Sequence, residues 1–270
     1  ISINNKKMDY LKTALITGAT SGIGFELIKL FAKDKINLIL VSRNEKKLLE
    51  IQKNITNKYK IKVLIFACDL SVSNSSEKVY QFCCSKNLKI NYLVNNAGFG
   101  IYGNFINNEF NDIQQMIHLN ITSLTELTKY FLIDMKKENY GKIMNVASVA
   151  SFQPGPLMSI YSATKHYVLA FSEGIAEELR KDNISVTTLC PGPTISGFQK
   201  RAGFHSSSRL FKSPLTATSQ QVALVGYKKM MRGKRIVVPG FSNKISTSIV
   251  QFIPSAIKTR LVKKVFDFMH

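Results

Sequence analysis

No apolar run in this 270-residue chain reaches the ~18–20 uncharged residues that a membrane-spanning helix needs, so an integral membrane protein is not expected. The opening stretch Ile1-Ser2-Ile3-Asn4-Asn5-Lys6-Lys7 lacks the apolar segment of a secretory signal. It also lacks a methionine, and the natural start is expected upstream. Cysteines are few: Cys68, Cys83, Cys84 and Cys190. None stands in a C-x-x-C or metal-ligand spacing, and the adjacent pair makes a poor disulfide framework, so a reduced, cytoplasmic setting is expected. Acids are scarce too, 17 against 37 Lys and Arg, for a net charge of +20. From Ser196 onward 14 basic residues face one acid, Asp267, which puts +13 of that charge in the last quarter. Such an excess suits an anionic partner. Nucleic acid is not expected, because no recognition helix, aromatic stacking motif or zinc pattern accompanies the charge.

What the chain does contain is a regular alternation. Short β-branched runs at Thr13–Thr17, Asn37–Ser42, Lys62–Ala67, Tyr92–Asn95, Lys142–Ala147, Ser185–Cys190 and Arg235–Val238 predict strands. Helical periodicity between them predicts helices near Gly24–Lys33, Glu45–Lys58, Ser75–Lys86, Phe110–Glu138, Tyr161–Lys181 and Ser219–Met231. Runs such as Leu38-Ile39-Leu40-Val41 are apolar without alternation, as in strands buried on both faces. A single α/β domain follows, a doubly wound parallel sheet of about seven strands with helices on both faces, spanning residues 1–240. The Gly-, Ser- and Pro-rich stretch 194–218 follows a strand end and is expected to act as a substrate lid.

Thr17-Gly18-Ala19-Thr20-Ser21-Gly22-Ile23-Gly24 joins the first strand to the first helix. Glycines let a backbone approach a pyrophosphate, and a helix N-terminus offers free N–H groups and a favourable dipole. The T-G-x-x-x-G-x-G spacing resembles the short-chain dehydrogenase/reductase family, and further motifs carry that resemblance from about Lys12 to Pro193. Asp69-Leu70 matches the family's adenine-contacting acid. Asn95-Asn96-Ala97-Gly98 matches its N-N-A-G motif, and Pro191-Gly192-Pro193-Thr194 its P-G-x-x-T segment beside the nicotinamide. The resemblance implies a Rossmann-type fold, a nicotinamide cofactor, and a homodimer through the two long helices. Ser42-Arg43 at the end of the second strand bears on which cofactor. An acid there would accept from the ribose 2′-OH of NAD(H), whereas a hydroxyl and a guanidinium suit a 2′-phosphate, so NADP(H) is expected over NAD(H).

Tyr161 and Lys165 stand four apart on one helical face, and Ser148 lies 13 residues before Tyr161 at a strand end. With Asn120 in the long helix, these residues match the family's Asn-Ser-Tyr-Lys set. Carbonyl reduction needs hydride on carbon and a proton on oxygen. A phenol of ordinary pKa near ~10 is a poor base, and an adjacent ammonium stabilises its phenolate. Tyr161 is therefore read as the proton donor and acceptor. Ser148 is read as a hydrogen-bond donor to the substrate oxygen. Lys165 is read as the tuning cation and, by the resemblance, as a ligand of the nicotinamide ribose. Asn120 is implied to hold a water that links Lys165 to solvent. A non-catalytic sensor or interaction protein on the same fold, the competing reading, has no need of all four. His166 is expected to be structural, and His205 lies in the lid.

Phe152 to Met158, including Gln153 and Pro154, is mostly apolar and is expected to wall a pocket for a hydrophobic ketone or aldehyde, with Phe99, Ile101 and Tyr102 adding to the wall. This region resembles bacterial reductases related to the 3-ketoacyl-CoA reductase and 17β-hydroxysteroid dehydrogenase group. The chain departs from 3-oxoacyl-acyl-carrier-protein reductases, because about thirty residues follow Pro239-Gly240 where those end. That tail, 241–270, carries Ile245, Ile249, Phe252, Ile253, Ala256, Ile257, Leu261, Val265 and Phe266 at helical intervals among basic residues. Pro254 is expected to split it. A basic amphipathic helix can lie on an anionic membrane surface, cover the core, or contact a partner subunit.

Overall fold

A computed structural model describes residues 12–204 and 216–269. Seven parallel strands form the central sheet: β1 (Thr13–Thr17), β2 (Asn37–Ser42), β3 (Val63–Ala67), β4 (Tyr92–Asn95), β5 (Gly141–Val146), β6 (Ile184–Leu189) and, last in chain order, β9 (Ile236–Val237). Their spatial order is β3-β2-β1-β4-β5-β6-β9. A short pair, β7 (Thr194–Ile195) and β8 (Ala217–Thr218), stands apart from it. The helices among the described residues are α1 (Gly22–Lys33), α2 (Glu45–Tyr59), α3 (Ser75–Ser85), α4 (Phe110–Ile117), α5 (Leu124–Lys137), α6 (Ser159–Glu178), α7 (Phe198–Arg201), α8 (Ser219–Met231), α9 (Phe241–Val250) and α10 (Ser255–Met269).

Side chains alternate across a strand, so each central strand feeds two cores. Ala14 and Ile16 of β1, Leu38 and Leu40 of β2, and Tyr92 and Val94 of β4 pack under α1, α2 and α8. Leu15, Ile39, Val41 and Leu93 point the other way, against α3 and α5. The lack of alternation in Leu38–Val41 thus reflects burial on both sides. The Tyr227 hydroxyl donates to the Asp34 carboxylate at 2.6 Å, tying α8 to the end of α1.

Strand order reverses between β1 and β4, and the carboxyl ends of the strands there diverge into a crevice where ligands of such sheets bind. One expected element differs. The helix read as Phe110–Glu138 is broken into α4, a π-helical turn His118–Ser123, and α5. No proline or glycine marks that break in the sequence. An inserted wide turn of this kind concentrates at functional positions. The tail splits as expected around Pro254, into α9 and α10.

Candidate active site

The turn after β1 is held by other strands rather than by its own glycines alone. Gly18 and Gly22 have φ of +64° and +57°, the left-handed region that favours glycine. A Cβ on Gly24 would stand 2.5 Å from the Gly18 carbonyl oxygen and from Asn96 Nδ2, so the helix can start this close to the turn only without a side chain. Asn96 Nδ2 donates to the carbonyls of Thr17 (3.0 Å) and Gly18 (3.2 Å), while Thr17 Oγ1 accepts from the N–H groups of Asn96 and Ala97. Asn95 faces inward and donates to Thr128 Oγ1 and Asn145 Oδ1. Ser21, the N-cap of α1, makes no side-chain cap, so the first N–H groups of α1 keep no such partner. Gly18, Thr20, Ser21, Gly22 and Ile23 line the crevice, and Gly24 lies beneath it. This cradle fits a pyrophosphate.

At the far end Thr20 Oγ1 and Ser42 Oγ lie 3.0 Å apart, and Arg43 Nη1 stands 3.6 Å from Asp69 Oδ2. Burial works against the Asp69 carboxylate. The side-chain and backbone hydrogen bonds from Ser71, then the Arg43 guanidinium, outweigh it and hold Asp69 below the usual range. Leu70, Asn96, Ala97 and Gly98 complete this wall. Two hydroxyls and a half-exposed guanidinium form a donor set suited to a phosphate monoester.

Deeper in, the four residues singled out by the sequence come together. Ser148 caps the 3-10 turn Val149–Phe152 just past β5, accepting from the Ala150 N–H at 3.1 Å. Tyr161 and Lys165 lie one turn apart on α6, with Lys165 Nζ 5.8 Å from the Tyr161 ring centre. Burial pushes the Tyr161 phenol up to about 12, opposed by the hydrogen bond from Ser148. Burial also pulls the Lys165 ammonium down to about 8, with Nζ donating to the Val146 carbonyl at 2.8 Å. The Asn120 side-chain amide accepts from the Phe99 N–H and donates to the Phe99 carbonyl and Thr164 Oγ1. A Cβ at Gly98 would lie 3.0 Å from Asn120 Oδ1 and 3.4 Å from Lys165 Nζ, so this glycine permits the approach of both. These bonds tie the Phe99 backbone to Thr164 of α6.

The crevice continues into a chamber, the whole cavity measuring about 770 Å³. Gln153, Gly155 and Met158 line it, with Pro191, Gly192 and Thr194 opposite. Other expected wall residues sit elsewhere. Pro154 is exposed and is not among the residues that line the cavity, although Gln153 and Gly155 on either side of it are. Phe152 packs into a core cluster with Val168 and Leu169. Phe99 is buried beneath the Arg201 guanidinium, 4.2 Å from its ring centre, and Tyr102 rests on Phe204; neither they nor Ile101 line the chamber. His166 Nδ1 bonds the Ser162 carbonyl, a structural contact, and His205 lies outside the described residues.

The tail supplies what the sequence reading missed. A Cβ on Gly192 would lie 2.5 Å from Asn243 Nδ2, so the glycine beside Pro191 is also the seat of α9. Val250, Ile253, Lys258, Leu261, Val262 and Val265 close the chamber from above. Phe198 of α7 closes it from the side, 5.3 Å from the Tyr161 ring. The tail's helical period was legible, but periodicity does not say what a stripe faces.

A dinucleotide crevice ending on a paired phenol and ammonium places the chain among oxidoreductases of the doubly wound α/β class. More narrowly, it belongs to the short chain dehydrogenase family, whose model matches residues 12–205. It is 30% identical over 222 residues to a very-long-chain 3-oxoacyl-CoA reductase of Rattus norvegicus, covering 79% of this chain and 70% of the relative. The corresponding Mus musculus reductase is 28% identical over 93% of this chain and 82% of its own. Among solved structures, a short-chain dehydrogenase from Sphingobium yanoikuyae in complex with NADPH superposes with a TM-score of 0.79 at 28% identity, covering 91% of this chain and 98% of that one. A bulky-bulky ketone specific alcohol dehydrogenase from Comamonas testosteroni gives 0.75 at 26%, covering 91% and 96%.

Proposed function

We propose that the protein reduces a hydrophobic ketone or aldehyde with NADPH, or runs the reverse oxidation, using Tyr161 as the acid and base. The observation that carries this reading is where Tyr161, Ser148 and Lys165 meet, at the point where the phosphate crevice opens into an apolar chamber. The cofactor, when bound, supplies hydride to the carbonyl carbon. The Ser148 hydroxyl donates to the carbonyl oxygen and steadies the charge that develops there. The Tyr161 O–H passes its proton to that oxygen, a step suited to a phenol that stays protonated at neutral pH. The Lys165 ammonium stabilises the phenolate left behind and, on the family resemblance, holds the nicotinamide ribose. Asn120 ties the Phe99 backbone to α6 and, on the family resemblance, holds the water that links Lys165 to solvent.

Thr20, Ser42 and Arg43 support NADPH over NADH, as does the relative solved with NADPH. Val250, Ile253, Leu261 and Val262 support an apolar substrate, as do relatives named for very-long-chain 3-oxoacyl-CoA and for bulky ketones. On this reading residues 241–270 form one working unit with the nucleotide-binding domain. The outer faces of α5 and α6, with Ile133 and Tyr167 exposed, are the surface for a homodimer. The test is NADPH consumption across hydrophobic ketones, acyl-CoA thioesters and steroids, repeated with NADH. Turnover of at least one apolar carbonyl with NADPH preferred is expected. Faster turnover with NADH, or none with any carbonyl by a protein that binds NADPH, overturns the reading.

A further inference from the structure

At about 100° per residue, Phe241, Ile245 and Ile249 of α9 fall within an arc of roughly 80°, and Phe252 extends it into the following turn. All four are exposed, Phe241 at 81% and Phe252 at 88%. The residues by which α9 holds the protein, Asn243, Thr247 and Val250, lie on the opposite side. The helix therefore has an apolar face turned outward, separate from the face it buries. On α10 a second stripe, Ile257, Leu261 and Val265, is half-exposed, and its last two members also line the chamber. Exposed cations border both stripes: Lys244 on α9, and Arg260 and Lys264 on α10. Asp267, the one acid after Gly240, is engaged by Lys263.

We infer that α9 and α10 dock the protein on an anionic bilayer, with the outward stripe of α9 set among the acyl chains and the basic residues at the headgroups. Because α10 shares its apolar stripe between the outer surface and the chamber, docking sets the chamber's roof against the lipid, and an apolar substrate enters from the membrane rather than from water. This last step rests on the proposed reductase function; the docking does not. A second copy of the chain fits the face less well, since a self-complementary contact would set the basic rims of the two stripes against each other. An anionic surface neutralises them, and the apolar stripe supplies the buried area that charge alone lacks.

The test is co-flotation of the full chain with vesicles of phosphatidylcholine alone and with vesicles rich in phosphatidylserine. Binding to the anionic vesicles, weakened by salt, is expected. The double variant Ile245→Glu and Ile249→Glu should lose about tenfold or more of that binding while keeping its circular dichroism and thermal midpoint. Lys244→Glu with Lys264→Glu should lose binding to the anionic vesicles selectively. No vesicle binding by the wild-type chain overturns the inference. So does undiminished binding by both variants, or a wild-type dimer that the Ile245→Glu, Ile249→Glu variant converts to monomer. Vesicle binding is read without turnover, so its failure leaves the reductase reading standing, and a bound but inactive protein leaves the docking standing.

Discussion

The two ends of the cavity are built by different means. The nucleotide end is made of strand termini a few residues long: Gly18 to Gly22 after β1, Ser42 and Arg43 after β2, and Asn96 to Gly98 after β4. Its tolerances are set by backbone, with Asn96 bridging Thr17 and Gly18 and glycines where a Cβ would collide. The chamber end is made of side chains that arrive from remote segments, among them Met158, Phe198, Val250 and Leu261. The first is a surface for a ligand with an unchanging pyrophosphate. The second can change shape through loops and a terminal extension without disturbing the sheet. A family can therefore keep one cofactor and vary its substrates.

Tyr161 lies on the boundary between these ends, and Tyr161→Phe should separate them most sharply. We expect kcat to fall by about 10²–10⁴, with NADPH affinity from fluorescence titration unchanged. Retained turnover would remove the proton role. Arg43→Asp acts on the nucleotide end alone. It replaces a charge-assisted contact of ~2–3 kcal/mol by repulsion, so NADPH affinity should drop by roughly 30- to 100-fold and NADH affinity by far less. Equal losses would show that Arg43 does not read the 2′-phosphate.

The pH profile couples both ends through Lys165. Its lowered pKa, about 8, means the ammonium is present below that value and lost as pH rises through it. The Tyr161 phenol stays protonated to about 12 and does not limit the acid step over this range. The reduction rate at saturating NADPH should then fall about tenfold between pH 7 and pH 9. A flat profile would mean that the Lys165 charge is not used. The smallest effect belongs to the chamber: Leu261→Ala should raise KM for a bulky ketone several-fold, leaving NADPH affinity and a small ketone untouched. An equal change for both ketones would place Leu261 outside the substrate path.

Legibility followed the same division. Strands β1, β2 and β4 matched their periodic runs residue for residue, because burial on both faces writes itself into composition. The cofactor motifs were readable because each acts within a few residues of a strand end. Asn120 was identifiable as a residue but not in its contacts. The π-helical turn that carries it leaves the apolar period nearly intact, and its partner, Phe99, is 21 residues away. Gln153 and Pro154 are neighbours in one apolar loop, and only the path of that loop puts the first in the chamber and the second outside.

By itself, the sequence determined the order of strands and helices, the glycine turn, the Tyr161–Lys165 spacing and the basic character of the tail. These are local properties, set by period, by short-range sterics and by residue type. Tertiary structure alone decided that the Ser148 hydroxyl comes beside the Tyr161 phenol, that Asn120 binds the Phe99 backbone, and that α10 roofs the chamber while α9 turns an apolar face outward. An amphipathic period specifies that a face is apolar. What that face meets depends on segments far away in the chain, and packing them together is what closes the site.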